Sequence, residues 1–164
     1  MIDQLVRWRA EPEAREHQPI TPMNRDQLTR YLDARQPRDL TKLIHNDYIL
    51  IIEDADNHNG VGWLTIEILS RLHGLARLGY TIGRDYWGQG YATAAVQTVV
   101  HQLFTETPIE RIEADCSIHN PASRRVLEKC GFRFIGTKRK YLVIQGERVD
   151  HHYFELCKDD FHTT

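Results

Sequence analysis

The sequence has neither an excess of charge of one sign nor a long apolar run. Its 164 residues carry a formal net charge of −2, so no global field attracts nucleic acid or an anionic membrane. No apolar stretch approaches the ~18 residues that span a bilayer, and residues 1–10 carry charged side chains where a signal peptide would be apolar. We therefore expect a cytoplasmic protein with no nucleic-acid partner and no membrane partner.

Cysteine is scarce, and histidine shows no metal-binding pattern. The three cysteines, Cys116, Cys130 and Cys157, are odd in number and far apart, which is typical of a reducing compartment and not of a disulfide framework. The nine histidines show no HExxH or Cys/His finger spacing. His151 and His152 are adjacent, and on a strand they would point to opposite faces. We expect no metal.

Hydrophobic periodicity and turn residues predict one domain over residues 1–164, because no linker, repeat or low-complexity tract divides the chain. Proline after a polar residue marks two helix starts, at Thr21-Pro22 and at Asn120-Pro121. The predicted order is α, α, β, β, β, α, β, α, β, β. The predicted helices cover residues 2–10, 24–35, 92–104 and 121–129, and the predicted strands cover 48–53, 61–69, 75–82, 111–118, 132–144 and 147–156.

A glycine-containing segment separates the third predicted strand from the third predicted helix. Residues 87–93 read Trp-Gly-Gln-Gly-Tyr-Ala-Thr. Such a loop exposes amide N–H groups in front of the positive end of a helix dipole, which suits phosphate. The segment lacks the Gly-Lys-[Ser/Thr] of nucleotide triphosphatases and the third glycine of dinucleotide-binding folds. It predicts a phosphorylated ligand, and an ordinary turn is the alternative.

A second motif lies at the last predicted helix. Residues 120–123 read Asn-Pro-Ala-Ser, and residues 126–132 read Val-Leu-Glu-Lys-Cys-Gly-Phe. In this order after the glycine segment, they resemble the GNAT superfamily of acetyl-CoA-dependent N-acetyltransferases. Residues 86–93 and the tail from Tyr141 to His151 look like its Rim-type branch, the ribosomal-protein N-acetyltransferase-like enzymes.

The resemblance runs from Tyr48 to the C-terminus and implies an α/β (α+β) fold. This fold has a central mixed, mostly antiparallel twisted sheet flanked by helices. The family's first strand precedes its first helix, and no such strand is recognisable before Leu5. The strand is therefore absent, replaced by another segment or lost by truncation.

The resemblance also implies acetyl-CoA as cosubstrate, bound largely through backbone groups. The amides that would hold its pyrophosphate are those of Gly88, Gln89, Gly90, Tyr91, Ala92 and Thr93. The strand backbone that would pair with the pantetheine arm belongs to Tyr80, Thr81 and Ile82. Asn120 would cap the next helix and reach the pantetheine, or only cap it. Trp87 stands where the motif usually has Gln or Arg, which removes one side-chain anchor.

The candidate catalytic residues are predicted both from positions where this chain differs from the family pattern and from positions where it agrees. Many relatives have a tyrosine that protonates the departing thiolate where this chain has Leu127, so Ser123, one helical turn earlier, is the predicted replacement. Asp115 lies where some relatives carry a glutamate base, and Glu113 alternates onto the same strand face; either would act through a water. Glu67 is a further candidate. The alternatives are a serine that only occupies the first turn of a helix and acids that only face solvent or form salt bridges.

The implied activity is direct acetyl transfer from acetyl-CoA to a primary amine, either a protein N-terminal amine or a small-molecule amine. At pH 7 an α-amine of pKa ~7.7–8.0 loses its proton for roughly 1–1.4 kcal/mol, whereas a lysine-like amine needs roughly 4.6 kcal/mol. The alternatives are a CoA-binding regulatory module without turnover and a nucleotide-binding domain with other chemistry. Cys116 has no local base to activate it and is expected to pack. The family resemblance also implies a possible homodimer that pairs through the C-terminal hairpin.

Overall fold

The computed structural model describes residues 1–34 and 39–161. Within these ranges five α-helices and six strands follow one another in nearly the predicted order. The helices are α1 (Ile2–Ala10), α2 (Pro12–Arg15), α3 (Arg25–Asp33), α4 (Tyr91–Glu106) and α5 (Pro121–Lys129). The strands are β1 (Asp47–Glu53), β2 (Gly60–Ser70), β3 (Leu75–Ile82), β4 (Arg111–Ser117), β5 (Arg133–Ile144) and β6 (Glu147–Cys157). In the described ranges no helix is both long and apolar enough to cross a membrane.

The start of α3 differs from its prediction. The helix begins after Asn24, not after Thr21-Pro22, because the Asn24 side chain accepts the Gln27 N–H at 2.8 Å and the Gln27 side chain accepts the Asn24 N–H at 2.9 Å. This reciprocal capping box satisfies two amide donors that a helix start otherwise leaves unpaired. The helix ends at Asp33, and the predicted end at residue 35 lies outside the described residues.

The remaining predicted elements are all present. The strand over residues 75–82 and the helices over residues 2–10 and 121–129 have the predicted ends. The third predicted helix is longer than expected and runs from Tyr91 to Glu106. The sequence pattern does not predict α2, a single turn that begins at Pro12, where proline is tolerated because the first N–H of a helix has no internal partner.

The six strands form one mixed sheet in the order β1-β2-β3-β4-β6-β5. Only β3 and β4 are parallel, and the other neighbours are antiparallel, as the family resemblance implies. No strand precedes Asp47 in the described part of the chain. The sheet therefore starts at the β1–β2 hairpin.

Two hydrophobic clusters pack against opposite faces of the sheet. The larger one joins Val96, Val100 and Leu103 of α4 to buried side chains of the central strands. The smaller one joins Trp8 of α1 and helix α3 to Trp63 of β2. Burying one apolar side chain of this size stabilises the folded state by roughly 1.5–3 kcal/mol relative to leaving it exposed. The clusters hold β2 and β3 rigidly beside the glycine loop that follows β3.

Candidate active site

A cleft lies beside the end of β3, beyond the point where β3 and β4 separate. These parallel strands pair only at Leu75, Ala76 and Arg77 of β3, and in the described residues no further pairing joins them. The cleft has a volume of about 520 Å³ and is lined by the end of β3, the glycine loop, the start of α5 and the chain that leads towards α3. A separated strand pair of this kind leaves backbone groups of β3 available to a bound molecule.

The glycine loop forms one end of the cleft. Gly88 and Gly90 have φ angles of +73° and +84°, a backbone conformation that favours glycine. A Cβ built on either residue would meet no non-neighbouring atom within 4 Å, so the space in front of the loop is open. Gly90 precedes α4 without a side-chain cap, which leaves the N–H groups of the first helical turn for an anion. The loop therefore fits a pyrophosphate.

The side chains around the loop divide into those that line the cleft and those that do not. The first three residues of α4 line it. Gln89 does not, because its side-chain amide turns back and donates to the Asp85 carbonyl at 3.3 Å. Arg125 and Lys129 of α5 also line the cleft, and the motif analysis did not single them out. Cations beside an anion cradle strengthen the binding of phosphate groups.

Side-chain donors cover two carbonyls of β3 in the region predicted for pantetheine. Gln18 Nε2 donates to the Tyr80 carbonyl at 2.9 Å, and Trp87 Nε1 donates to the Ile82 carbonyl at 2.9 Å. The Thr81 hydroxyl donates to the side-chain oxygen of Gln18 at 3.2 Å. A molecule that paired with β3 here would therefore take the place of Gln18.

Ser123 and Tyr80 form a hydroxyl pair inside the cleft. Their oxygens are 2.8 Å apart, and the Tyr80 hydroxyl also donates to the Ser123 carbonyl at 3.1 Å. Burial raises the pKa of Tyr80, so its phenol stays protonated at neutral pH. Asn120 caps α5 by accepting the Ser123 N–H at 3.1 Å, and it also lines the cleft. Leu127 is only 1% exposed and offers no proton here.

A smaller pocket of about 280 Å³ meets the cleft at this hydroxyl pair. The residues that line both cavities are His17, Gln18, Tyr80, Asn120 and Ser123. A molecule in the cleft and a second molecule in the smaller pocket would therefore meet beside the Ser123 hydroxyl. Such an arrangement suits a group transfer between two bound reactants, because their relative position is set before reaction.

Two of the three acids predicted as bases line the smaller pocket, and both are paired with cations. Asp115 Oδ1 lies 2.9 Å from Lys138 Nζ, and Asp115 Oδ2 lies 3.7 Å from Arg77 Nε. Glu67 lies 3.4 Å from the Arg77 guanidinium. The charges in this part of the pocket therefore compensate one another.

Glu113 shares the face of β4 with Asp115 but lies outside both cavities. Two residues along a strand correspond to about 6.6 Å, and this offset carries Glu113 away from the pocket. Its carboxylate accepts the Tyr153 hydroxyl at 2.6 Å and the Arg111 Nε at 3.3 Å. This placement disagrees with a direct role for Glu113 as a base.

The two cysteines beside the site are thiols that pack. Burial raises the pKa of Cys116 to about 11 and that of Cys130 to about 11. Neither is a thiolate at neutral pH, and the thiolate is the form that acts as a nucleophile. Neither cysteine is therefore in the form that acts as a nucleophile.

Among the residues that line the smaller pocket without belonging to a recognised site motif are His17, Gln18 and His151. His17 and Gln18 belong to a stretch between α2 and α3 without hydrophobic periodicity. His151 belongs to the tail that supports the Rim-type resemblance, but its adjacency to His152 was considered only as a metal pattern. Their common position becomes visible only when the sheet brings distant segments together.

Comparison with known proteins agrees with this geometry. A family model described as an acetyltransferase (GNAT) domain matches residues 2–133. The Bacillus licheniformis protein p20, described as an uncharacterized N-acetyltransferase, is 28% identical over 97% of this chain and 88% of its own length. The [ribosomal protein uS5]-alanine N-acetyltransferase of Escherichia coli is 32% identical over 51% of this chain and 43% of its own length.

The fold is also that of a solved acetyltransferase. Spermidine N-acetyltransferase from Vibrio cholerae, in complex with CoA and spermine, matches with a TM-score of 0.72 at 18% sequence identity, over 97% of this chain and 85% of that one. At this identity the likeness concerns the fold alone. The family model is the stronger finding, because it covers most of the chain and includes the glycine loop and the start of α5. The chain belongs to the GNAT acetyltransferase family.

Proposed function

We propose that this protein transfers the acetyl group of acetyl-CoA directly to a primary amine, either a protein N-terminal amine or a small-molecule amine. The observation that carries the proposal is the meeting of two cavities at the Ser123–Tyr80 hydroxyl pair. The larger cavity has the glycine loop that fits a pyrophosphate, and the smaller one has room for an acceptor. Acetyl-CoA supplies the activated thioester carbonyl when it is bound in the larger cavity.

The protein's own groups then have separable roles. The amides at Gly88, Gly90 and the first turn of α4 bind the pyrophosphate, with Arg125 and Lys129 as nearby cations. β3 positions the pantetheine arm after Gln18 has given up its hydrogen bond to this strand. The Ser123 hydroxyl gives a proton to the departing thiolate, and the Tyr80 phenol, 2.8 Å away, stays protonated and orients this hydroxyl.

The charges of the smaller pocket favour an acceptor with a single amine over a polyamine. Its carboxylates, Asp115 and Glu67, are already paired with Arg77 or Lys138, so a polycation would compete with built-in cations. A protein or peptide α-amine also loses its proton at pH 7 for roughly 1–1.4 kcal/mol, against roughly 4.6 kcal/mol for a lysine-like amine. The E. coli relative, whose name describes acetylation of an alanine on a ribosomal protein, supports the same choice.

The first test is binding, followed by turnover. Calorimetric titration with acetyl-CoA should give an affinity in the micromolar range, and 3′-dephospho-CoA should bind similarly because the pyrophosphate is the group held by the loop. Release of free CoA is then measured with a peptide that has an N-terminal alanine, with single amino acids and with spermidine. The peptide or an amino acid should be the better acceptor.

Each possible result of this test has a definite meaning. Absence of acetyl-CoA binding would show that the glycine loop is only a turn, and the proposal would fall. Binding without turnover of any amine would favour the alternative of a CoA-binding regulatory module with the same fold. Preference for spermidine would contradict the argument from pocket charge while leaving the acetyl transfer intact.

A further inference from the structure

His151 is a buried imidazole at the acceptor side of the site. It lies on β6, where its backbone is paired with Ser117 of β4, and it is only 3% exposed. It lines the smaller pocket together with Asn120 and Ser123. No role for His151 follows from the motifs of the glycine loop or of α5, so its burial in a polar pocket calls for a physical reason.

One hydrogen bond sets the tautomer of this imidazole. His151 Nδ1 lies 3.1 Å from the Val149 carbonyl, which can only accept. Nδ1 must therefore carry the proton, and in the neutral ring Nε2 then carries the free lone pair. The Tyr141 ring meets the imidazole edge-on, with ring centroids 5.5 Å apart, and this contact restricts the plane of the ring. The arrangement presents a preoriented proton acceptor.

The carboxylates that line the pocket are paired with cations. Asp115 lies 2.9 Å from Lys138 and 3.7 Å from Arg77. Lys138 of β5 is also the register partner of His151 across the hairpin, and it lies over the Tyr141 ring.

Further charged groups face His151 from the other neighbouring segments. His17 lies in the chain before α3, and the charges of His151 and of His119, which follows β4, both act on the His17 imidazole. His152 is adjacent on β6 but packs edge-on against Phe134, on the other face of the strand. The charged and titratable groups on the elements around His151 are thus Asp115, Glu67, Arg77, Lys138, His17 and His119.

Resting on the proposed function, we infer that His151 Nε2 is the general base that takes a proton from the acceptor's ammonium group. The neutral amine then attacks the thioester carbonyl carbon, so that a C–N bond forms and the C–S bond breaks. As the amide forms, the nitrogen gives its second proton to Ser123, which has passed its own hydroxyl proton to the sulfur. His151 releases the first proton to solvent, so that the sum is one amide, one thiol and one proton.

The test compares His151→Gln with His152→Gln, a matched change at the next residue on the opposite face. The probe is a peptide with an N-terminal alanine, and kcat/KM is measured from pH 6 to pH 10. His151→Gln should lower kcat/KM at pH 7 by roughly 5- to 10-fold, because deprotonating an α-amine at this pH without a base costs roughly 1–1.4 kcal/mol. The deficit should shrink above about pH 9, where the α-amine is neutral without help. His152→Gln should behave as wild type.

Two readouts separate a catalytic role from a structural one. The calorimetric affinity for acetyl-CoA should be the same in His151→Gln and in wild type, because His151 lines only the smaller pocket. Nitrogen NMR of histidine-labelled protein should show His151 protonated at Nδ1 and free at Nε2, with the signal identified by its loss in His151→Gln.

The results that overturn the inference are distinct from those that overturn the proposed function. Wild-type kcat/KM in His151→Gln, an equal loss at every pH, a parallel loss of acetyl-CoA affinity or a ring protonated at Nε2 would each remove His151 as the base while acetyl transfer stands. A wild-type protein that binds acetyl-CoA but acetylates no amine would contradict the proposed function and this role together.

Discussion

Replacing Ser123 by alanine tests whether its hydroxyl, where the two cavities meet, contributes to turnover or only to the stability of the fold. The Ser123 hydroxyl lies 2.8 Å from the Tyr80 hydroxyl, but Tyr80 also has the Ser123 carbonyl at 3.1 Å. The variant removes only the first contact, so the buried phenol keeps a partner. Asn120 keeps its bond as well, because it accepts from the backbone N–H of residue 123.

These contacts predict a small loss of stability and a large loss of turnover. One hydrogen bond contributes about 0.5–1.5 kcal/mol net, and the free energy of unfolding should fall by no more than that. If Ser123 supplies the proton to the departing thiolate, kcat should fall at least ~10-fold, which corresponds to about 1.4 kcal/mol of barrier. The acetyl-CoA affinity should hardly change, because the glycine loop lies at another part of the cleft and distant sites act independently.

The assay measures kcat at saturating acetyl-CoA, the calorimetric affinity for acetyl-CoA and the thermal unfolding temperature. Ser123→Thr keeps a hydroxyl and should recover part of the activity, whereas Tyr80→Phe keeps Ser123 but removes the hydroxyl that orients it and should lower kcat. An alanine variant with wild-type kcat would refute the proton transfer from Ser123. A variant that lost acetyl-CoA affinity in step with kcat would show that Ser123 shapes the cleft instead.

Three further changes test other parts of the site. Gly90→Val should abolish acetyl-CoA binding as measured by calorimetry. The control is Gly146→Val, at a glycine in the β5–β6 turn with almost the same φ of +83°, and this variant should bind acetyl-CoA normally. Normal binding by both variants would contradict the assignment of the glycine loop as the pyrophosphate site. Glu113→Gln should leave kcat/KM within about twofold of wild type, below the loss expected when a base is removed, because Glu113 lines neither cavity. A loss as large as that of His151→Gln in steady-state kinetics would return Glu113 to the mechanism. Leu127→Tyr should destabilise the fold by about 1–3 kcal/mol through overpacking of a buried position without raising kcat, and a faster enzyme would show that a tyrosine still works there.

The fold could be predicted well where local patterns agree with tertiary structure. The strand Leu75–Ile82 and the helix Pro121–Lys129 have the predicted ends, because a turn or an Asn-Pro cap bounds a clear periodicity. The predicted start of α3 was wrong because two possible helix caps, Thr21-Pro22 and Asn24, lie within four residues of each other. The reciprocal hydrogen bonds of Asn24 and Gln27 decide in favour of Asn24. Local sequence does not show which of two such caps forms.

The site could be predicted only in its continuous parts. The glycine loop and the Asn120–Ser123 turn are local motifs, and both line the cleft where they were expected. The Tyr80 hydroxyl was missed, since it meets Ser123 across 43 positions in the chain, and β3 was considered only for its backbone. Glu113 was predicted as a candidate base because strand alternation places it on the same face of β4 as Asp115. Alternation does not show how far along the strand the pocket extends. The separation of β3 from β4, which creates the cleft, leaves no pattern in the sequence of either strand.

The side chains of Gln18 and Trp87 cover backbone carbonyls at the open edge of β3. A strand edge with unpaired backbone groups is a template for pairing with another chain, and proteins avoid exposing one. Here the carbonyls of Tyr80 and Ile82 are satisfied by the protein's own side chains, so the protein guards this edge against aggregation before its cosubstrate arrives. If pantetheine pairs with β3 as proposed, it exchanges existing hydrogen bonds for others of similar strength, and the net affinity then comes from the phosphates. Pantetheine without its phosphates should therefore be a poor ligand, however well it matches the strand.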